Sequence, residues 1–219
     1  MGKDCTHARA AAKTYPSPEA SPILAFVSLP ALLAEIAACR ACAGELPHEP
    51  RPVVRVSPDT RLLICGQAPG RRVHDSGLPF NDASGDRLRT WMGVDRDTFY
   101  GPAIGVAAMA FCFPGTNPKG GDFPPPPRCA TLWRPQVLAQ LPKVELTLLV
   151  GSYAQRWYLA DRAKGSMTET VAAWQNYLPN FLPMPHPSWR NTGWLKRNRW
   201  FEDEVLPYLR ARIADLLAS

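Results

Sequence analysis

The sequence predicts an α/β protein built as a three-layer sandwich, in which helices cover both faces of a central, mostly parallel four-stranded sheet. Short apolar runs alternate with amphipathic helical patterns along most of the chain, and this order is typical of parallel βαβ units. Two of the runs break directly into glycine turns: Leu62–Cys65 leads into GQAPG, and 145–150 leads into Gly-Ser. Such strand ends are where α/β proteins place their sites.

The predicted elements follow from the spacing of apolar residues. A helix over 28–42 runs into a proline-rich connection over 47–58, which could hold a short edge strand. The strand Leu62–Cys65 comes next, and its glycine turn and a polar loop lead into a helix over 84–92. The remaining elements are a strand at 104–113, a helix carrying Leu132 to Leu141, a strand at 145–150, helices at 153–159 and 168–177, a strand at 181–184 and a final helix at 200–217.

Length and charge narrow the class of protein. With 219 residues and 46% hydrophobic content, we expect a flexible leader over 1–22 and a single domain over 23–219. The net charge of +6 suits a polyanionic partner such as nucleic acid. No apolar run approaches the roughly 20 residues that cross a bilayer, and no secretory signal is evident. We therefore expect a cytoplasmic monomer that does not bind membranes, with thiols or metal ligands rather than disulfides.

Two polar segments stand at the ends of predicted strands. One is the glycine turn after Cys65, and the other is the Pro-His-Pro-Ser segment after Met184. If the two strands are neighbours in one sheet, both segments open onto the same crevice. The prolines on either side of His186 restrict its backbone, which favours a functional histidine over one that only caps the sheet.

The GQAPG turn, the GLPF sequence after it, the HPS of residues 186–188 and four spaced cysteines resemble the uracil-DNA glycosylase superfamily. The resemblance is closest to its bacterial iron–sulfur branch and covers about residues 39–210. It implies a monofunctional DNA glycosylase of base excision repair, which flips uracil out of DNA and hydrolyses its N-glycosidic bond. Monofunctional chemistry also fits the absence of a lysine in the predicted crevice, because no Schiff base could form there.

The resemblance assigns roles to individual residues. The family's first motif handles the water and the sugar, and here it falls on Gln67, Ala68 and Pro69. Phe80 corresponds to the aromatic on which the flipped base stacks. His186 corresponds to the histidine beside a carbonyl oxygen of the base, where a preorganised donor stabilises the departing anion. The residues expected to enter the minor groove are Ser188, Trp189, Arg190, Asn191 and Thr192.

The motifs depart from the family pattern at the positions of the residues that activate the attacking water. Ala68 stands in place of the aspartate of the best-studied branch, and Gln67 in place of the acidic residue of the iron–sulfur branch. We therefore expect His74 or Asp75 to orient or deprotonate the water, since histidine titrates near neutrality. The alternatives are that His74 is an exposed loop residue and that Gln67 only holds the water in a largely dissociative mechanism.

Base selection also departs from the pattern. Ala108 occupies the position of the asparagine that reads the edge of uracil in the iron–sulfur branch, so hypoxanthine and xanthine are further candidate substrates. Asn81 could take over part of this reading, or it could cap the helix that follows.

The cysteines of Cys39-x-x-Cys42, with Cys112 and Cys129, form a second group. A CxxC motif alone is ambiguous between zinc, redox chemistry and no ligand. The spacing of the iron–sulfur branch implies that the four thiolates hold a [4Fe-4S] cluster. Zinc in the same ligands and uncoordinated thiols are the alternatives.

Cations alternate with tryptophans after His186, and Arg190 and Lys196 are expected to contact DNA phosphates. Arg71 and Arg72, on the loop after Gly70, are candidates for the same contacts. The run after His186 could instead be a solvated helix start with anchoring tryptophans. Two functions compete with a glycosylase: a DNA-binding or damage-sensing protein that has lost turnover, and a small-molecule hydrolase whose glycine turn binds phosphate.

Overall fold

A parallel four-stranded sheet forms the centre of the protein. The structure is a computed structural model that describes residues 28–218, so the predicted leader over 1–22 lies outside the described residues. The strands are β1 (Leu62–Cys65), β2 (Ile104–Val106), β3 (Leu146–Val150) and β4 (Phe181–Met184). Their order is β2-β1-β3-β4 and every neighbouring pair is parallel. The predicted α/β class and parallel sheet are therefore confirmed.

Helices pack on both faces of this sheet. The elements are α1 (Leu29–Ala37), α2 (Arg71–Ser76), α3 (Ala83–Met92), α4 (Arg96–Phe99), α5 (Pro127–Ala139), α6 (Ser152–Leu159), α7 (Met167–Ala172), α8 (Thr192–Arg197) and α9 (Leu206–Ala218). One-turn 3-10 helices lie at Ala160–Arg162, Trp174–Tyr177 and Trp189–Asn191, and a π-helical turn at Phe201–Val205 precedes α9.

Successive strand residues enter different layers of the core. Leu62 and Ile64 pack with α3, α7, α8 and α9, whereas Leu63 packs with α1 and α5. This alternation follows from the pleat of a strand, which points neighbouring side chains to opposite faces. Strands covered on both faces are apolar throughout, and the residues of β1, β2 and β3 are all buried. The arrangement confirms the three layers.

The second strand is shorter than predicted. β2 ends at Val106, because its neighbour β1 ends at Cys65 and the chain beyond follows the glycine turn instead. There the backbone N–H of Met109 donates to Gly66 O at 2.8 Å, and that of Ala110 donates to Gln67 O at 3.1 Å. The segment stays buried, which explains its apolar sequence. The predicted edge strand is reduced to one antiparallel bridge, between Arg55 and Val106.

Two further segments differ from prediction. Residues 71–76, expected as a loop, form helix α2, which ends at Gly77 in the left-handed region (φ 71°) that favours glycine. The first helix ends at Ala37, so Cys39 and Cys42 lie in the turns that follow it. Within residues 28–218, no helix has the length and apolar character needed to cross a membrane.

The two strands that lead into the polar segments are not neighbours, because β3 lies between β1 and β4. Since all strands are parallel, the glycine turn after β1 and the histidine segment after β4 still emerge at the same edge of the sheet. The turn after β3 passes close to the histidine segment at this edge. A β carbon at Gly151, which has φ 85°, would lie 3.7 Å from the β carbon of His186.

Candidate active-site cleft

A cleft of about 770 Å³ opens at the carboxyl ends of the strands. This volume falls within the roughly 300–1,000 Å³ typical of ligand pockets. Most of the wall comes from four segments: the glycine turn, residues 79–84, residues 116–122 and residues 186–191. The rest of the lining is Val53, Arg72, Val73, Val106 and Ala108. Of the residues predicted from sequence, those lining the cleft are Gln67, Ala68, Pro69, Arg72, Phe80, His186, Ser188, Trp189, Arg190 and Asn191.

The imidazole of His186 is held in one tautomer. The backbone N–H of Ser188 donates to its Nδ1 at 3.2 Å, so the proton of the neutral ring is on Nε2. Burial lowers the pKa of His186, and the carboxylate of Asp82 opposes this shift only in part. The Asn191 side-chain amide donates to the backbone oxygen of His186 at 2.7 Å and fixes the segment. The cleft therefore contains a neutral histidine with Nε2–H as its donor.

Phe80 is clamped against the glycine turn. Its ring packs edge-on against Phe99, with centroids 6.2 Å apart, and its Cζ would lie 3.7 Å from a β carbon at Gly66. The backbone of Phe80 is in the left-handed region (φ 53°), which is uncommon for a bulky residue. Gly85 permits this conformation, because a β carbon there would lie 1.7 Å from Phe80 O. The aromatic predicted to stack on a base is thus rigidly placed.

Asp82, rather than Asn81, caps the helix after Phe80. Asp82 Oδ1 accepts from the backbone N–H of Gly85 at 2.9 Å and is the N-cap of α3. Asn81 Oδ1 accepts from Arg96 Nη2 at 3.1 Å, and the residue lies outside the cleft lining. The structure therefore does not bring Asn81 to the position from which it would read a base.

His74 and Asp75 also lie outside the cleft lining. The ring of His74 lies 4.2 Å from that of His48, centroid to centroid, and burial together with His48 lowers its pKa. The carboxylate of Asp75 pairs with Arg71 at 3.1 Å. His74 and Asp75 lie outside the cleft because residues 71–76 are helical. Helix α2 presents Arg72 and Val73 to the cleft, and the next two residues lie on another face of the helix.

The segment from residue 115 to residue 123 forms a hairpin that sequence reasoning missed. Thr116 and Asp122 form an antiparallel bridge, and the backbone N–H of Asn117 donates to Gly121 O at 2.7 Å. The turn uses Gly120 and Gly121 with φ of 100° and 82°. A Gly-Gly pair is a known signal for such tight turns, and it is the feature of the sequence that could have indicated this hairpin.

This hairpin brings a carboxylate to the cleft. The side-chain amide of Gln67 donates to Phe123 O at 3.1 Å, which ties the hairpin to the glycine turn. A β carbon at Gly70 would lie 3.7 Å from Asp122 Oδ2. Burial raises the pKa of Asp122, Arg190 lowers it, and Asp82 raises it further.

One rim of the cleft is aromatic and basic. Trp189 is 74% exposed, and the guanidinium of Arg190 lies 5.6 Å from its ring centroid. Arg87 Nη1 donates to Ser188 O at 3.0 Å and holds this rim to α3. The side chains of Arg72 and Lys196 are exposed. Arg71, by contrast, is paired with Asp75 and lies outside the cleft lining.

The four cysteines of the second group line one small cavity between the turns after α1 and the start of α5. Arg128 connects the two sides: its Nη1 donates to Ala41 O at 3.0 Å, and its Nη2 lies 2.7 Å from Glu45 Oε1. Among residues 28–218, no three His, Cys, Asp or Glu side chains are arranged as a site for one metal ion.

Burial and the neighbouring thiols raise the pKa of Cys112 to about 12. Burial also raises the pKa of Cys129 to about 11, although the backbone N–H of Phe111 donates to its sulfur at 3.3 Å. These thiols are therefore protonated unless a metal replaces the proton.

A protein-family model matches most of the chain. Residues 54–210 match the family described as the Uracil DNA glycosylase superfamily. The matched region includes every segment that lines the cleft except its contact at Val53. It also includes Cys112 and Cys129, whereas Cys39 and Cys42 precede it.

Proposed function

This chain belongs to the uracil-DNA glycosylase superfamily, and we propose that it is a monofunctional DNA glycosylase that excises uracil from DNA in base excision repair. The observation that carries the proposal is a single cleft lined by both the glycine turn after β1 and His186 after β4. Its volume of about 770 Å³ suits one extruded nucleotide. A cytoplasmic location and a monomeric state stay predictions.

Extrusion places the base between Phe80 and His186. Unstacking a base from the duplex costs a few kcal/mol, and stacking on an aromatic ring recovers about 1–3 kcal/mol. The fixed ring of Phe80 suits this role because it loses little conformational freedom when a base binds. Ala68 and Pro69 line the cleft beside Gln67 and would contact the sugar.

Cleavage of the N-glycosidic bond moves the bonding electron pair onto the base. The Nε2–H of neutral His186 would donate to a carbonyl oxygen of the base and stabilise the developing negative charge. Burial lowers the pKa of His186, which favours the neutral ring. The neutral ring can donate from Nε2 without first losing the proton of an imidazolium. Among residues 28–218, no lysine lines the cleft, which supports hydrolysis rather than Schiff-base chemistry.

The exposed rim would engage the duplex. Trp189 is suited to fill the space that the base leaves, as apolar wedges do in other minor-groove proteins. Ser188 and Asn191 position this segment, and Arg72, Arg190 and Lys196 supply positive charge for phosphates. Arg71 contributes less in this proposal, because its ion pair with Asp75 offsets its charge.

The pocket favours a broad base range over strict uracil selectivity. Ala108 lines the cleft and has no polar side-chain group with which to read a base edge. Small residues at this position leave room for a purine, so hypoxanthine and xanthine are the alternative substrates to uracil.

The four cysteines are proposed to hold a [4Fe-4S] cluster. Four thiols around one cavity are the ligand set that such clusters use. Cys39, Cys42, Cys112 and Cys129 all line this cavity and would be the residues that hold the cluster. The group would hold the turns after α1 against α5 and would take no part in base excision. Zinc in the same ligands is the alternative.

The test is cleavage of an oligonucleotide that carries one uracil, followed by alkali. Strand scission at the uracil is expected, and parallel substrates with hypoxanthine and xanthine give the base range. Tight binding without scission on all three substrates would instead favour a damage-sensing protein, the alternative that Ala68 in the first motif supports. Metal analysis of protein purified without oxygen distinguishes iron from zinc.

A further inference from the structure

Two carboxylates line the cleft within residues 28–218, and only one is unengaged there. Asp82 Oδ1 accepts from the backbone N–H of Gly85 and caps α3. Among residues 28–218, the carboxylate of Asp122 makes no hydrogen bond or ion pair, and the charged groups that act on it are Arg190 and Asp82. A carboxylate on the cleft wall that accepts no hydrogen bond from the described residues is open to a water or a substrate, so its position is informative.

The position of Asp122 is fixed by the hairpin that carries it. The bridge to Thr116 and the 2.9 Å hydrogen bond from the Phe123 N–H to Gly115 O hold the backbone on both sides. The 3.1 Å hydrogen bond from Gln67 then anchors the hairpin to the glycine turn. A rigid support of this kind is what a catalytic carboxylate needs, because small displacements reduce rates strongly.

Asp122 faces the turn on which the sugar would lie. Its Oδ2 would lie 3.7 Å from a β carbon at Gly70, while His186 lines the same cleft. The base and the attacking water occupy different sides of the sugar carbon C1′. The donor to the base and the acceptor for the water must therefore come from different walls of the cleft. The hairpin and the segment after β4 meet this requirement.

We propose that Asp122 is a further catalytic residue of the proposed glycosylase, and that its carboxylate orients and deprotonates the attacking water. The inference rests on the proposed function. The C1′–N bond breaks and its electron pair leaves with the base. The water oxygen forms the new bond to C1′, and its proton passes to the Asp122 carboxylate. The same negative charge stabilises the cationic sugar before the water adds.

The environment of Asp122 suits a base. Burial in the cleft raises its pKa and the neighbouring Asp82 adds to the shift, while Arg190 opposes it. A raised pKa makes the carboxylate a better proton acceptor near neutrality. Asp75, the acidic residue expected from sequence, instead forms an exposed ion pair with Arg71 outside the cleft.

The test compares Asp122→Asn with Asp75→Asn and with Asp161→Asn, an exposed aspartate that serves as the matched control. Single-turnover excision of uracil should fall about 10²–10⁴-fold in Asp122→Asn, the usual contribution of a general base, with oligonucleotide affinity retained. The rate of the wild-type protein should fall as pH drops through the pKa of Asp122. That acidic limb should disappear from the residual activity of Asp122→Asn and return in Asp122→Glu.

The outcomes separate this inference from the function on which it rests. An active wild type with an unchanged rate in Asp122→Asn overturns the role of Asp122 and leaves the glycosylase proposal standing. A loss of excision rate in Asp75→Asn alone also overturns the role of Asp122, and it would assign activation of the water to Asp75 on helix α2. A slow Asp122→Asn that keeps the acidic limb also overturns the inference, because the defect would then be structural. An inactive wild type overturns both proposals.

Discussion

The cleft and the cysteine cavity have contrasting linings, although only three residues of chain separate Ala108 in the cleft from Cys112 in the cavity. The cleft is open, and its charged and polar side chains come from turns at the strand ends. The cavity is small and lined largely by apolar groups, and burial raises the pKa of Cys112 and of Cys129.

The difference assigns separate tasks to the two regions. Charged groups that face water can exchange protons and bind DNA, whereas buried thiols can only hold a metal or pack. We therefore expect substitutions in the cleft to change the rate without changing metal content, and substitutions in the cavity to do the reverse.

Among the substitutions that compare the cleft with the cavity, the largest effect is expected from His186→Ala. Removal of one preorganised donor to a developing oxyanion typically costs 10²–10³-fold in rate, and we expect this loss in single-turnover excision of uracil. Iron content and DNA affinity should not change, because His186 lies outside the cysteine cavity and its backbone, not its ring, carries the contact to Asn191. His48→Ala, which removes an imidazole outside the cleft, is the control. An unchanged rate in His186→Ala would remove this residue from the chemistry.

The next largest effect is expected in the cysteine cavity, where Cys112→Ser should reduce the iron content. Iron should fall from about four atoms per chain to near zero, and the melting temperature should fall with it. Cys65→Ala is the matched control, since this buried thiol lies in β1 away from the cavity. Protein that stays folded should keep the pH profile of uracil excision. A changed pH profile would mean that the cavity takes part in the chemistry, and the separation of tasks would be wrong.

A smaller effect is expected at the rim. Arg190→Gln should weaken binding to all DNA sequences alike and reduce the slope of log affinity against log salt by about 0.9. Arg156→Gln, on α6 and outside the cleft lining, is the control. Titrations of labelled duplex at several salt concentrations measure this slope. An identical slope in the variant would indicate that Arg190 serves only to pack against Trp189 and the glycine pair of the hairpin.

The smallest effect concerns pH and stability. Burial lowers the pKa of His74 and His186 in the folded protein, so the unfolded chain takes up protons more readily as pH falls below about 6.5. The free energy of unfolding should therefore decrease on acidification through that range. Urea unfolding at several pH values should give a shallower dependence for His74→Asn. A dependence as steep as that of the wild type would mean that His74 titrates alike in both states.

Much of the site could be predicted from local sequence. The strand β1 and its glycine turn, the position of His186 between prolines and Phe80 in its loop are all consequences of patterns within a few residues. The grouping of the cysteines followed from a resemblance, and they line one cavity. Sequence reasoning failed where helix α2 replaced a loop, because six residues without a clear apolar period carry little helical signal.

The sequence by itself determined the alternating elements, the burial of the strands and the chemical types available at their ends, because periodicity and turn residues act over short distances. Only the tertiary structure decided which of those groups meet. It put Asp122 beside the glycine turn and moved Asp75 away, through contacts such as Gln67 to Phe123 that join residues far apart in the chain. It also set the tautomer and lowered the pKa of His186, since both depend on neighbours that the fold supplies.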